Sequence, residues 1–268
     1  NAPGFPFNGV DARFKLDKGL LRIDPMNLSL ADGAAHGWLE LDGRKDVPVV
    51  KTNVDLQKLK LARFFAGTRF EEYTQGQFGG RIELTGEGKS LADVLAASDG
   101  RIVMMMAGGR ISLLLIEASD LDIGQAAPLF LGDDKTTDIR CAVADFGVKR
   151  GLLDSKIFVF DTTDTNLQGD VKINLRNETI DAKMDAKPKD ASLLSLQSPI
   201  IISGHLKHPD VTLEAKEAGA RGAIATALGI VLTPVAAVLP FIELGEGEDS
   251  NCGKLMVNAK AEAARQFR

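Results

Sequence analysis

Residues 167–186 read LQGDVKINLRNETIDAKMDA, and they are the clearest indication of the fold class. Apolar side chains or glycine occupy every second position from Leu167 to Leu175, and apolar side chains do so again from Ile180 to Ala186. This period-two alternation is typical of a strand with one buried face and one solvated face. The short polar link at 177–179 predicts an antiparallel hairpin. We therefore predict a mainly β protein whose sheet is apolar on one side only.

A related ribbon of sequence occurs twice, at residues 10–42 and 142–174, with an offset of 132 positions and no gap. Each copy has a charged turn, an apolar strand, a second turn with an aspartate, and then a glycine (Gly37 or Gly169) that opens an alternating strand. Such self-similarity favours a unit that is extended by adding another unit. Chance similarity between two hairpins is the alternative interpretation.

The predicted fold is an elongated, curved antiparallel sheet, as a groove or an open sandwich, with a few short helices packed on it or at its end. Residues 1–218 form the predicted β module that contains both ribbons. Residues 219–268 form an Ala-rich, broken helical segment, followed by a polar loop and a terminal strand or helix. Short helices are also predicted after the N-cap residue Ser90, over residues 59–66 and within 123–131.

Residues 101–107, Arg-Ile-Val-Met-Met-Met-Ala, are apolar on both faces of the predicted strand. The pattern predicts a strand that is buried on both sides, at a place where a helix packs on the sheet. Methionine side chains also adapt to varied apolar ligands, although core filling is the more ordinary interpretation.

Residues 222–242 contain no charged side chain. Their length approaches the roughly 20 apolar residues that span a bilayer, but Pro234 and Pro240 each remove a helix donor. Two short helices packed on the sheet are the favoured interpretation, contact with a membrane interface is the second, and a membrane span is the third. The predicted membrane-contact residues are Ile230, Val231, Leu232, Val238, Leu239 and Phe241.

The composition limits the classes of partner. A net charge of -5 and a pI near 5.4 argue against a nucleic-acid partner, because no basic excess is available to neutralise phosphates. One Trp and one Tyr against 13 Phe favour apolar ligands over sugars. Cys141 and Cys252 could pair or remain separate thiols. Residues 1–6 resemble the start of an excised fragment, so the absence of a leader peptide gives no information on the compartment.

None of the candidate phosphate-binding, metal-binding or catalytic motifs has its complete sequence pattern. The stretch at 86–90, Gly-Glu-Gly-Lys-Ser, resembles the end of a phosphate-binding loop, but Glu83 occupies the position that needs the first glycine. His205 and His208 are interpreted as surface loop residues, because a metal site needs three or four converging ligands. The numerous aspartates, interpreted as turn residues or residues of the wet face, include Asp161, Asp164, Asp181 and Asp185. We expect no enzyme activity, no metal and no cofactor.

Several short motifs, in this order, resemble the C-terminal region of the AsmA family of bacterial envelope proteins. They are Gly19-Leu20-Leu21, the strand at Gly37, residues 54–59 (VDLQKL), 76–80 (GQFGG), 86–91 (GEGKSL), 98–100 (SDG), 108–111 (GGRI), 240–245 (PFIELG) and Cys252. The Ala-rich segment that ends in Pro-Phe-Ile-Glu-Leu-Gly makes the resemblance fairly specific.

The resemblance implies a periplasmic body, similar to bridge-like lipid transfer proteins, on a protein anchored in the inner membrane by an N-terminal helix that this sequence lacks. It also implies a role in outer-membrane biogenesis and in moving phospholipid along an apolar groove, and no catalytic residues. The expected partners are phospholipid or another acyl-chain ligand, a membrane surface and outer-membrane assembly proteins. The predicted lipid-binding residues are Ile102, Met104, Met106, Val171, Ile173, Leu175, Ile180 and Met184.

Two alternatives stay open at this point. The first is a structural or regulatory scaffold for assembly of outer-membrane components, in which helices fill the apolar face. The second is an elongated β hydrolase, which the scarcity of Trp and Tyr disfavours.

Overall fold

A computed structural model describes residues 6–68, 71–112, 136–189, 191–192, 199–213, 243–244 and 248–265. Twelve of its strands form one antiparallel sheet in which they follow one another in their order along the sequence. The strands of this sheet are β1 (Phe7–Asp17), β2 (Leu20–Leu30), β3 (Gly33–Asp42), β4 (Val49–Lys60), β5 (Gln75–Glu87), β6 (Asp99–Ser112), β7 (Thr136–Lys149), β8 (Leu152–Thr162), β9 (Thr165–Asn174), β10 (Thr179–Pro188), β12 (Ile200–His205) and β13 (His208–Leu213). Two further short strands, β11 (Ala191–Ser192) and β14 (Glu243–Leu244), pair with each other. The prediction of a mainly β, antiparallel fold is confirmed.

The sheet is open, because β1 and β13 form its two edges and do not pair with each other. Six of the eleven strand pairs contain a register shift. Bulges of this kind bend a strand and increase its right-handed twist. They contribute the curvature that is usual in open sheets of more than about ten strands.

The two related ribbons correspond to β1–β3 and β7–β9. Leu20 pairs with Asp42 in the first copy, and Leu152 pairs with Asn174 at the equivalent positions in the second. The first turn of each copy has positive φ at both central residues, Lys18 with Gly19 and Arg150 with Gly151. Two successive positive-φ residues define the tight hairpin turn that suits the natural twist of strands. The repeat is therefore a repeat of structure as well as of sequence.

Three helical segments accompany the sheet within the described residues. Helix α1 (Leu91–Ala96) has Ser90 as its N-cap, and a reciprocal capping box with Asp93 confirms the prediction made at this position. A 3₁₀ helix occupies Leu61–Phe65, shorter than the predicted helix over 59–66. The difference arises because β4 continues to Lys60, and Leu59 is buried opposite Phe78 of β5. Helix α2 (Cys252–Arg265) lies where a strand or helix was predicted after the polar loop.

Other predictions fall partly or wholly outside the described residues. The helix predicted within 123–131 and the Ala-rich segment at 222–242 lie there, so the division of the chain at residues 218 and 219 stays a prediction.

Candidate functional site

One face of the sheet is apolar from edge to edge, and we refer to it as the apolar face. Because side chains paired in register point to the same side of a sheet, the pairings define this face strand by strand. Its members on successive strands include Val10 and Phe14, Ile23 and Leu28, Leu39 and Leu41, Val54 and Leu56, Ile82 and Leu84, Ile102 and Met104, Ala144 and Phe146, Leu153 and Phe158, Val171 and Ile173, Ile180 and Ala182, Ile202, and Val211. A continuous surface of this kind suits a long apolar ligand, since acyl chains need no directional contacts.

All eight predicted lipid-binding residues lie on the apolar face. Ile102, Met104 and Met106 pair with Phe146, Ala144 and Ala142 of β7. Val171, Ile173, Ile180 and Met184 lie on the neighbouring pair β9–β10, and Leu175 follows β9. Ile102, Val171, Ile173, Leu175 and Ile180 belong to one packed cluster. The structure brings these side chains together on one face, and lipid binding by them stays a prediction.

The centre of this face was not predicted from the sequence. Phe146, Val148 and Leu153 are nearly buried there and pack with Phe158 and with Ala182. The alternation of β7 is masked because Cys141 and Val143 point to the opposite side of the same strand and are also buried. A strand covered on both sides has no polar face to mark its register.

The accessibility of the apolar face changes along the sheet. Near β1 it is open, because Val10, Phe14 and Leu16 are 57%, 64% and 72% exposed. On β9 and β10 the same face is closed, with Val171 4% exposed and Ala182 1% exposed. The apolar face is thus best able to receive a ligand from solvent at its β1 end.

The 3₁₀ helix covers one end of the apolar face near β4 and β5. The rings of Phe64 and Phe78 lie with their centroids 5.5 Å apart in a tilted arrangement. Leu59 packs in a cluster with Leu30, Ala31 and Ala35, and Phe78 packs against this cluster. These residues form a second closed region of the apolar face.

The opposite face carries the charges and helix α2, and we refer to it as the helix face. Across β9 and β10, Lys172 is opposite Asp181, and Asp170 is opposite Lys183. Opposite charges directly across two strands stabilise their pairing. The strand register therefore places charged side chains on the helix face and apolar side chains on the apolar face.

Helix α2 packs on the helix face over β6, β7 and β8. Ala259 is fully buried against Val103 and Val143, with Met105, Ile157, Leu255 and Met256 around them. The prediction that residues 101–107 form a strand buried on both sides, beneath a helix, is confirmed.

A cleft of about 1190 Å³ lies between β4–β6 and Met256 of helix α2. Val103 and Met105 are apolar residues of its lining. Four of its charged residues form ion pairs, with Arg81 Nε 2.6 Å from Asp55 Oδ1 and Arg110 Nε 2.9 Å from Asp138 Oδ1. Because its polar residues mix with apolar ones, this cleft is less suited to an acyl chain than the apolar face.

Glu83 of β5 is a partly buried carboxyl whose pKa is shifted. Burial raises the pKa of Glu83, and the neighbouring Arg81 opposes that shift. The Asn53 side-chain amide donates a hydrogen bond to Glu83 Oε2 at 3.1 Å.

Asp161 is the centre of a buried polar network beside helix α2. Its carboxylate accepts hydrogen bonds from Lys189 Nζ at 2.6 Å and from the backbone N–H of Ser250 at 3.0 Å. Lys189 also binds Asp249, and this hydrogen bond lowers the pKa of the Asp249 carboxyl. The prediction that Asp161 is a turn or wet-face residue is wrong, because its side chain is fully buried and contacts Lys189, Arg140 and Ser250. Asp164, Asp181 and Asp185 are exposed as predicted.

Cys141 and Cys252 form a disulfide, which joins β7 to the first residue of helix α2. Their sulfur atoms and a carboxylate oxygen of Asp161 lie within 4.8 Å of one another. The sulfurs are bonded to each other, and the carboxylate is held by Lys189 and Ser250. The three residues therefore do not suit a metal ion in this state.

The predicted membrane-contact residues, Ile230, Val231, Leu232, Val238, Leu239 and Phe241, lie outside the described residues. Within the described part of the chain, none of the helices has the length and apolarity required to cross a bilayer.

These features define a class of protein: an open antiparallel sheet in which consecutive strands pair, with one apolar face and one charged face. The AsmA family model matches residues 1–158. The chain is also 28% identical over 256 residues to the AsmA family protein YhjG of Escherichia coli (strain K12). That alignment covers 95% of this chain and 37% of YhjG. No solved structure matches the chain.

The chain belongs to the AsmA family. Membership of this family suggests a function related to the bacterial cell envelope.

Proposed function

We propose that the chain is a non-enzymatic periplasmic module that binds or conducts phospholipid along its apolar face, in the biogenesis and maintenance of the outer membrane. The observation that carries this proposal is the continuity of the apolar face across all twelve paired strands. Family membership supports the envelope setting. Anchoring of the whole protein in the inner membrane, and contacts with outer-membrane assembly proteins, belong to the same proposal.

The energetics of an acyl chain fit such a surface. Each methylene moved from water to an apolar surface contributes about 0.8 kcal/mol. Leucine, isoleucine, valine and phenylalanine side chains offer no hydrogen bond that would hold the chain at one position. A lipid tail can therefore be retained on the apolar face and still move along it.

The open end of the face at β1 is the place to test the proposal. Phe14 points to the apolar face and is 64% exposed, so replacing it leaves the core of the sheet intact. Phe14→Asp and Leu16→Asp are expected to reduce uptake of a fluorescent phosphatidylethanolamine from vesicles several-fold, because the charge must be desolvated beneath the acyl chain.

Lys15→Asp supplies the matched control. Lys15 lies between Phe14 and Leu16 on the same strand, and its side chain points to the helix face. This variant is expected to take up lipid as the unchanged chain does. Native mass spectrometry of the purified chain gives a second measurement. A chain that is free of lipid and takes up none, or equal uptake by all three variants, would contradict the proposal.

One observation favours the scaffold as a second candidate. Phe146, Val148, Val171 and Ala182 are already nearly buried on the apolar face. If the whole face is filled in this way, the chain organises other components through its surface and carries no lipid. The lipid-uptake measurement separates the two functions.

A further inference from the structure

The disulfide between Cys141 and Cys252 connects two parts of the chain that are separated by 111 positions. Cys141 lies on an internal strand of the sheet and is fully buried. Cys252 is half-buried and is the first residue of helix α2. The bond therefore fixes the beginning of helix α2 to a sheet that is held together by its own strand pairing.

Helix α2 covers apolar side chains on the face of the sheet that is otherwise charged. Beneath it, Val103 is 2% exposed and Val143 is 1% exposed. Met105 and Ile157 lie beside them and contact the same cluster. We call these four residues the covered patch. If helix α2 left its position, the covered patch would face solvent.

The helix has limited means of staying in place without the disulfide. It has 14 residues, and isolated helices of this length are marginal in water. Within the described residues of the helix, Leu255, Met256 and Ala259 supply the apolar contact with the sheet. At its beginning, Ser250 binds Asp161 and Asn166, and Asp249 binds Lys189 and Arg140. A covalent tether keeps these few contacts at high effective concentration.

We infer that the Cys141–Cys252 disulfide is a redox-controlled latch: when it is reduced, helix α2 leaves the helix face while the twelve-stranded sheet persists. The cleft beside β4–β6 then joins the covered patch, because Met256 of the helix forms part of its wall. The helix face changes from a surface of paired charges to one with a broad apolar area over β6–β8. This inference does not depend on lipid binding by the apolar face.

The chemistry of the latch is a thiol–disulfide exchange. Closing breaks the S–H bonds of Cys141 and Cys252 and forms the S–S bond. Two protons and two electrons pass to the disulfide of a thiol–disulfide oxidoreductase, which is released as a dithiol. Opening is the reverse reaction with a dithiol donor. The incoming thiolate attacks Sγ of Cys252, because this sulfur is the more accessible of the two.

Hydrogen–deuterium exchange of the chain, oxidised and reduced with a phosphine, tests the latch. Thiol titration first establishes that both sulfurs are reduced. Amides of helix α2 are then expected to exchange at least about tenfold faster, while amides of β6, β7 and β8 change by less than about twofold. Fluorescence of an anilinonaphthalene dye is expected to rise as the covered patch opens.

The double variant Cys141→Ser with Cys252→Ser is the matched control. It should show fast exchange in helix α2 without reductant and no response when reductant is added. If this variant does not fold, reduction of the folded wild-type chain still tests whether helix α2 leaves the helix face. Unchanged hydrogen–deuterium exchange in helix α2 after full reduction would show that packing alone holds the helix in place. Loss of protection throughout the sheet would show that the disulfide holds the fold, and either result overturns the latch.

Discussion

Arg101 and Asp145 form a bidentate ion pair on the helix face, and both side chains are buried. Arg101 Nε lies 2.7 Å from Asp145 Oδ1, and Arg101 Nη2 lies 2.5 Å from Asp145 Oδ2. The two side chains are 3% and 0% exposed. Val103 of β6 pairs directly with Asp145, so the ion pair lies beside the residues covered by helix α2.

Removing one partner of this pair is expected to destabilise the protein strongly. Asp145→Ala leaves a buried guanidinium without its carboxylate, which costs about 3–5 kcal/mol of unfolding free energy. Urea denaturation followed by circular dichroism measures the loss. The double variant Arg101→Met with Asp145→Leu removes both charges and should lose much less. A small effect of Asp145→Ala alone would contradict this view of the pair.

Gly37 and Gly169 occupy equivalent positions in the two ribbons, and a side chain at either position is expected to destabilise the fold. A Cβ on Gly37 would overlap the carbonyl oxygen of Asn53, and a Cβ on Gly169 would overlap that of Lys183. Gly37→Ala and Gly169→Ala should each cost about 1–3 kcal/mol of stability, because the neighbouring strand must move. Gly9 has no atom within 4 Å of such a Cβ, so Gly9→Ala is the control and should be tolerated. Equal stabilities of the three variants would rule out the close strand approach.

Glu83 should make the stability of the protein depend on pH. Burial raises its pKa in the folded state, so its contribution to stability is present at low pH and declines as the pH rises through that pKa. Glu83→Gln keeps an acceptor for the Asn53 amide and removes the charge. The stability of the variant relative to wild type should therefore increase between about pH 4 and 7. Parallel stability curves for the two proteins over this range would contradict the prediction.

The capping box of helix α1 offers a smaller, local test. Ser90 Oγ accepts a hydrogen bond from the Asp93 backbone N–H at 3.1 Å. Ser90→Ala is expected to cost about 1 kcal/mol, because this N–H loses its partner. Leu91 is adjacent and 75% exposed, so Leu91→Ala should change stability by less than about 0.5 kcal/mol. Thermal unfolding of the two variants checks the difference.

The sheet was predictable from the sequence where one face of a strand is wet. The hairpin β9–β10 was predicted with its correct apolar and solvated faces, because Lys172 and Asp181 alternate with Ile173 and Ile180. The double burial of β6 was also predictable, since Met105 and Met104 point to opposite faces and both are apolar.

Other features depend on contacts that sequence patterns do not contain. Asp161 follows the ordinary pattern of an exposed strand-end aspartate, but contacts with Lys189, Arg140 and Ser250 accompany its full burial. The pairing of Cys141 with Cys252 depends on where helix α2 lies. Each of these features joins parts of the chain that are about 90 or more residues apart.

The order of strands has a consequence for how the chain acquires its structure. Every hairpin of the main sheet is completed by a strand that arrives next, or next but one, in the sequence. Contacts between near neighbours carry a small loop-closure penalty and favour rapid folding. The sheet can therefore grow from β1 towards β13 during synthesis, with each new strand adding to an edge that already exists. A chain interrupted after several strands would present a shorter sheet, with β1 at one edge and the last strand made at the other.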